Sequence, residues 1–405
     1  MSDAKKLPDF IFKSGIGPES MNEELFIGRF MEEMRSGLRG ESGSLGMIPT
    51  YISCSADLPE SGFAVAIDAG GTNFRTALVR FEGGKVSLDK LDTVPMPGTQ
   101  GAVTWAEFIR FAADSIRPYM SLTRKIAVCI SFPTEITPER DGIIIHTTKE
   151  VNILGYEGRH ICRDLLEELD CAGASAVVVN DTTAVLLSGL VSGADGAGLI
   201  GLINGTGTNV CCQADVGGRK MIVDVESGGF IPPQRSEIDA ALDAATAVPG
   251  VYMEEKLVSG AYLGEICRRA FRAAAEDGIF TERGALAALG LERLPTPAAD
   301  AFIDGAALEC FEADADADAA RQIGKAVFSR AAKHIACTLS AVMRFCGTDG
   351  GAITVSADGS VFRKSRYFRS ELERYVGLLE PGRRVNYVSV DNSTALGTAV
   401  AAVME

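Results

Sequence analysis

A chain of 405 residues, 46% hydrophobic and 23% charged, carries enough apolar material for two globular cores. Its formal net charge of −15 argues against a general nucleic-acid or anionic-membrane binder, since those partners select a basic footprint. A small anionic ligand held by backbone N–H groups stays open.

Ten Cys with no Cys-x-x-Cys, and only three His, give a zinc site little support. The thiols read as reduced and mostly buried. Residues 1–8 lead into no apolar signal core, and no apolar run is long enough for a bilayer span, so the expectation is a soluble, cytoplasmic protein.

Leu25, Phe26, Phe30, Met31, Met34 and Leu38 recur at helical spacing and predict an opening helix. A loop reaching Gly62 leads to an apolar strand at 63–67, a Gly-rich turn and a strand at 76–79. A helix at 105–119 and strands at 126–130 and 177–179 follow, the last running into a helix at 182–191. The order then partly repeats, with a strand at 199–203, a turn at 205–208 and strands at 209–213 and 221–225. A broken helical region fills 252–344. Within it Asp314, Asp316 and Asp318 alternate with Ala, as a solvated loop or helix face does. Strands at 352–355 and 387–390 and a closing helix at 394–404 complete the chain. Two β-rich units, each opening strand, Gly-Thr turn, strand, predict two related α/β domains with a ligand cleft between them.

Three motifs carry chemistry. Asp68-Ala69-Gly70-Gly71-Thr72-Asn73-Phe74-Arg75 joins two strands, unlike the strand-to-helix loop of Walker or Rossmann proteins. Its paired glycines let backbone N–H groups approach an anion, Thr72 and Asn73 add donors, and Arg75 adds positive charge. Asp68 suits a Mg²⁺ ion held through water. Asn204-Gly205-Thr206-Gly207-Thr208-Asn209 is a second such turn. Either alone is an ordinary hairpin; at matching places in two units they suit one polyphosphate gripped from both sides. Val177-Val178-Val179-Asn180-Asp181 puts a carboxylate at the end of a buried strand, where open α/β sheets bind ligands. Asp181 there suits a base for phosphoryl transfer. An N-cap of the following helix is the commoner role for such an Asp, and the two roles are compatible.

Several dispersed polar residues complete the pattern, and with them the chain resembles the hexokinase family. The resemblance rests on Met47-Ile48-Pro49-Thr50-Tyr51, Asp68 to Arg75, Ser131-Phe132-Pro133, Thr148-Lys149, Val179-Asn180-Asp181-Thr182 and Gly205-Thr206-Gly207-Thr208-Asn209. It continues through Glu226-Ser227-Gly228-Gly229-Phe230, Glu255 to Glu265 and Asp358-Gly359-Ser360-Val361-Phe362, all in family order.

The resemblance implies an α/β fold of two actin-like (RNase H-like) lobes, each a mixed five-stranded-type sheet flanked by helices, with the active-site cleft between them. Residues 61–182 and the closing helix, about 392–405, would form the small lobe; 1–60 and 183–391 would form the large one. It implies ATP- and Mg²⁺-dependent phosphorylation of the 6-hydroxyl of glucose or another hexose, the first step of glycolysis. Ser131, Phe132, Thr148, Lys149, Asn180, Asp181, Asn209, Glu226 and Glu255 would contact the sugar. Asp181 would be the base, and Lys149 would also meet the γ-phosphate. Asp68, Gly70, Gly71, Thr72, Asn73, Arg75 and Thr206 would serve the metal and phosphates, with Gly359 and Ser360 near the nucleoside.

The rival readings are another sugar kinase of the same superfamily and a catalytically weak sugar sensor on the same fold. Repressor-type bacterial sugar kinases carry a Cys/His zinc motif that this chain lacks, and a silent sensor is expected to lose the base. Three departures stand out: the chain is short between Arg268 and Ala332, Ser227 replaces an aromatic residue, and two glycines are replaced where the last helix begins, at 392–397. Ser393, Ala395 and Leu396 there predict a base site held away from the backbone.

Overall fold

The computed structural model describes residues 6–54, 57–147, 151–194, 196–308, 310–311, 314–347 and 351–404. Two sheets follow one plan. In the first, Ser61–Ala69, Asn73–Glu82 and Lys85–Pro95 form an antiparallel meander. Lys125–Ile130 and then Ser175–Val179 add in parallel beyond Ser61–Ala69. In the second, Leu199–Asn204, Thr208–Val216 and Arg219–Asp224 make the meander, with Ile353–Asp358 and Val385–Val388 as the parallel strands. The short strand Ile48–Pro49 extends its far edge against Arg219–Asp224.

The central strands are apolar runs because both faces are covered. Helices Trp105–Ile116 and Ile161–Leu169 cover the outer face of the first sheet. Helices Glu23–Leu38, Leu263–Glu276 and Asp314–Phe345 cover the outer face of the second. Between the sheets lie helices Asp181–Val191 and Ser393–Ala401. Ala64, Ala66, Ala77 and Val79 meet Leu186, Leu187, Leu396 and Val400 there, and Leu199 and Ile222 close the same core from the second sheet. Each large aliphatic side chain so buried stabilises the fold by about 1.5–3 kcal/mol. The two helices touch backbone to backbone: a Cβ at Gly397 would fall 1.7 Å from the Ala184 carbonyl oxygen.

Several elements differ from the sequence expectation. Lys85–Pro95 was not expected as a strand. Val86, Leu88 and Leu91 face the core, but Asp89 is skipped where the register shifts opposite Leu78 and Val79, and this breaks the alternation. Helices Ser360–Lys364 and Arg366–Leu379 are also additional, and the late strand is Val385–Val388 instead of 387–390. The helix from Trp105 ends at Ile116 and tightens into a 3₁₀ turn, Arg117–Tyr119, at Pro118. Leu25 turns outward from Glu23–Leu38 and is 44% exposed.

Asp316 is a correction to the solvated reading. It is buried, accepts from Thr281 N at 2.9 Å and Thr281 Oγ1 at 2.5 Å, and ties the long helix to the start of Glu282–Gly290. Asp318 does lie in solvent, paired with Arg321 at 3.0 Å. Residues two apart on a helix face different ways, so alternation could not assign both. Among the described residues no helix is long and apolar enough to cross a membrane.

Gly397→Ala is expected to cost about 1–3 kcal/mol or more, because the added methyl has no space without separating the helices. Thermal denaturation measures this; an unchanged melting temperature would show that the two helices separate freely.

Candidate active site

The strand ends of both sheets open on one cleft of about 440 Å³. Ser131, Phe132, Asn180 and Asp181 line it from the first sheet; Asn209, Glu226 and Glu255 line it from the second. The fold thus brings together seven of the nine expected sugar contacts. Thr148 and Lys149 lie outside the described residues. Among the described lining residues there is no Lys or Arg.

Asp181 stands at the first turn of Asp181–Val191, but it is not the cap. Asn180 is: its side chain accepts from Thr182 N at 2.7 Å. The neighbouring amide satisfies the helix end, which leaves the Asp181 carboxylate facing the cleft with Thr182 Oγ1 donating at 3.3 Å. Burial, then the charges of Glu226 and Asp68, push Asp181 up to about 6. A carboxylate so placed is mostly ionised at neutral pH and more basic than an ordinary Asp.

The opposite wall is a hydrogen-bonded array. Asn209 Nδ2 donates to Asp224 Oδ1 at 2.7 Å and Glu226 Oε1 at 3.2 Å. Asn209 Oδ1 accepts from Val210 N at 2.7 Å and Ser227 N at 3.1 Å. The amide is fully used, so in this conformation Asn209 orients Glu226 and offers no spare donor. Glu226 adopts φ +56° at the end of its strand, a left-handed conformation that costs about 1–3 kcal/mol and turns its side chain back to Asn209. Glu255, on the short helix Met253–Val258, accepts from Thr208 N at 3.1 Å. Burial pushes both Glu226 and Glu255 above the usual carboxylate range. Asp224 was not singled out from the sequence. Nothing local marks it, because its partners come from other strands.

The two Gly-Thr turns look alike in sequence but differ in construction. At the first, Gly70 N donates to Asn73 O at 3.1 Å, and a Cβ at Gly71 would meet nothing within 4 Å. Thr72 and Asn73 are exposed, with Asn73 Nδ2 donating to Thr72 Oγ1 at 3.3 Å. Neither protein packing nor a positive φ demands glycine at Gly71, and the bare backbone suits an approaching phosphate. At the second, a Cβ at Gly207 would lie 2.5 Å from Glu255 Oε2, and one at Gly359 would lie 2.3 Å from the Asn204 carbonyl carbon. These glycines serve close packing between Glu255, the turn at Asn204 and the start of the helix Ser360–Lys364. The exposed Thr206 is what that turn presents.

Asp68 lies beside the first turn, buried, with Arg75 Nη1 donating to its Oδ2 at 3.0 Å. Burial pushes it up and Arg75 opposes this. The described residues offer no group of three or more metal-ligating side chains. A single carboxylate fits Mg²⁺, which keeps several waters and binds through one or two carboxylates plus phosphates. Where the nucleoside was expected, Asp358 accepts from Gly359 N at 2.7 Å, pairs with Arg363 Nε at 2.6 Å and accepts from Ser393 Oγ. Ser393, Ala395 and Leu396 are buried, the last two in the core between the sheets. They do not stand in a base site, so the expected displacement of the base loses its ground; the exposed residue at this helix start is Asn392.

Two sheets of one plan closing on such a cleft define the actin-like class of kinase folds. Profiles of the hexokinase family match residues 20–191 and 199–404, and the chain belongs to that family. It is similar to mouse hexokinase-3, 27% identical over 413 residues, covering 91% of this chain and 44% of that protein. It is similar also to human hexokinase-2, 26% identical over 445 residues, covering 98% and 48%. The chain thus spans less than half the length of these relatives. Its fold is similar to that of a hexokinase from Schistosoma mansoni complexed with glucose, with a TM-score of 0.75 at 24% identity over 99% of both chains.

The cap assignment has a stability signature. Folded Asp181 holds its proton up to about 6, and an unfolded Asp releases it near 3.9. Folding therefore disfavours its charged form, and the penalty is complete above about pH 6 and gone below about pH 4. Asp181→Asn should raise the melting temperature at neutral pH and lose that gain in acid. Asn180→Ala should cost about 0.5–2 kcal/mol, the value of a helix cap. The reverse pattern in thermal melts would make Asp181 the cap.

Proposed function

We propose that this chain is an ATP:hexose 6-phosphotransferase acting on glucose and related hexoses, as in the first step of glycolysis. The observation that carries this reading is the position of Asp181: an uncapping, desolvated carboxylate at a strand end, facing Glu226 and Glu255 across a cleft of about 440 Å³. Membership of the hexokinase family supports it, as does the glucose in the Schistosoma enzyme of similar fold.

Sugar hydroxyls exchange water for fixed partners: Glu226 and Glu255 accept on one wall, and Asn180 Nδ2 and the Ser131 hydroxyl stand on the other. The 6-hydroxyl lies against Asp181. Its oxygen bonds to the γ-phosphorus as the bridge to the β-phosphate breaks, and its proton passes to the Asp181 carboxylate. The open backbone at Gly71, in the turn that the Gly70 N–H closes on Asn73 O, holds the phosphates together with Thr72, Asn73, Arg75 and Thr206. Asp68 would hold Mg²⁺ through water, and the ion would supply neutralisation of phosphate charge. Lys149, by the family resemblance, adds a cation near the γ-phosphate. A cytoplasmic setting fits the ten free cysteines, most of them buried.

Purified chain with ATP and Mg²⁺ should phosphorylate glucose in a coupled ADP assay, with kcat falling as pH drops through about 6 because Asp181 must be unprotonated. Asp181→Ala should lower kcat about 10²–10⁴-fold and change sugar affinity far less. No sugar phosphate from any hexose, or a near-normal kcat in Asp181→Ala, would defeat the reading.

A further inference from the structure

Asp224 ends the strand Arg219–Asp224 at the floor of the cleft and is 2% exposed. It lies opposite Cys211 on one neighbouring strand and Ile48 on the other. Its Oδ1 accepts from Asn209 Nδ2 at 2.7 Å, and the same amide donates to Glu226. Asp224 and Glu226 thus share one amide donor and lie within hydrogen-bonding reach of each other. Two carboxyl groups so placed bond to each other only when one keeps a proton to donate.

The surroundings decide that a proton stays. Asp181 faces the pair from across the cleft. Tyr252 and Glu255 face Glu226 from residues 252–258, and the Cys211 thiol faces Asp224 from the adjacent strand, with the Cys212 thiol nearby on the sheet's other face. Strand Ile48–Pro49 brings no titratable group. The described titratable neighbours are therefore anionic or neutral, and two bare carboxylates would have no counter-charge among them. Burial, then the Glu226 charge, push Asp224 well above the usual carboxylate range, so the more buried member holds the proton.

We propose that Asp224 is a positioning residue for sugar recognition: as a carboxylic acid it bridges Asn209 and Glu226, and so presents Glu226 as a fixed, charged acceptor for sugar hydroxyls. Its O–H donates to Glu226 and its carbonyl oxygen accepts from Asn209. The proposal rests on the hexose-kinase reading and adds a consequence to it. When the shared proton leaves at alkaline pH, two adjacent anions repel, Glu226 shifts, and sugar affinity falls. An amide in place of the acid would make the same two bonds at every pH.

The test is glucose affinity by titration calorimetry on the full chain, from neutral to alkaline pH. Wild type should weaken as pH rises. Asp224→Asn should stay within about threefold of wild type at neutral pH and flatten the alkaline limb, since it replaces the acid by a group of the same shape and bonding. Asp224→Ala should bind glucose about 10–100-fold more weakly, leaving Asn209 and Glu226 without their shared partner; if it does not fold, the Asp224→Asn profile decides alone. A flat wild-type profile, an Asp224→Asn limb identical to wild type, or an Asp224→Asn as weak as Asp224→Ala overturns this inference and leaves the kinase reading standing. A wild-type chain that binds no hexose overturns both.

Discussion

Gly397 lets the helix Ser393–Ala401 lie directly on the backbone of Asp181–Val191, against the Ala184 carbonyl. That contact sets how near the two sheets can come, since both helices fill the core between them. It also aims the first turn of Asp181–Val191 at the second sheet. Asp181 meets Glu226 and Glu255 across the cleft because Gly397, near the far end of the sequence, has no side chain to hold the helices apart.

The electrostatics of the cleft follow from that closeness. Asp181, Asp224, Glu226 and Glu255 line one space, and the described walls bring no Lys or Arg to it. Carboxyl groups gathered under partial desolvation raise one another's proton affinity, and each does so in proportion to its burial. Asp181, which keeps an opening to the cleft, stops at about 6, a range useful for taking a proton from a hydroxyl. Asp224, on the floor, is driven much further and holds its proton. The same repulsion thus yields a base at one position and a neutral hydrogen-bonding acid at another. Acceptors without competing cations are also what a neutral, hydroxyl-rich ligand requires.

The two sheets share a frame but not the construction of their turns. Each sheet runs through the same meander and the same pair of parallel strands. Each first hairpin carries a Gly-Thr turn, and the second of them lines the cleft. Yet the glycines of the first turn leave open backbone, and those of the second make room for Glu255 and for the backbone at Gly359. One turn leaves its backbone open; the other is packed into the wall that carries Glu255 and Gly359.

The sequence by itself determined the two units, their order and most of the cleft. Short apolar runs with Gly-Thr turns are local signals, and they placed Asp68 to Arg75, Asn180, Asp181 and Asn204 to Asn209 on strand ends. Local signals failed where phase or partnership was non-local. The Lys85–Pro95 strand was hidden by the skipped Asp89, and Asp316 was misread because its partner Thr281 lies in another helix. Asp181 and Asn180 both suit a cap by composition, and only the folded backbone shows that Asn180 takes the Thr182 N–H. Asp224 had no sequence mark at all. Its role depends on Asn209 from one strand, Glu226 beyond the end of its own and Asp181 from the other sheet, and on its own burial. A residue type states which bonds a side chain can make; which of them it makes, and what charge it keeps, are set by the neighbours and the desolvation that only tertiary packing supplies.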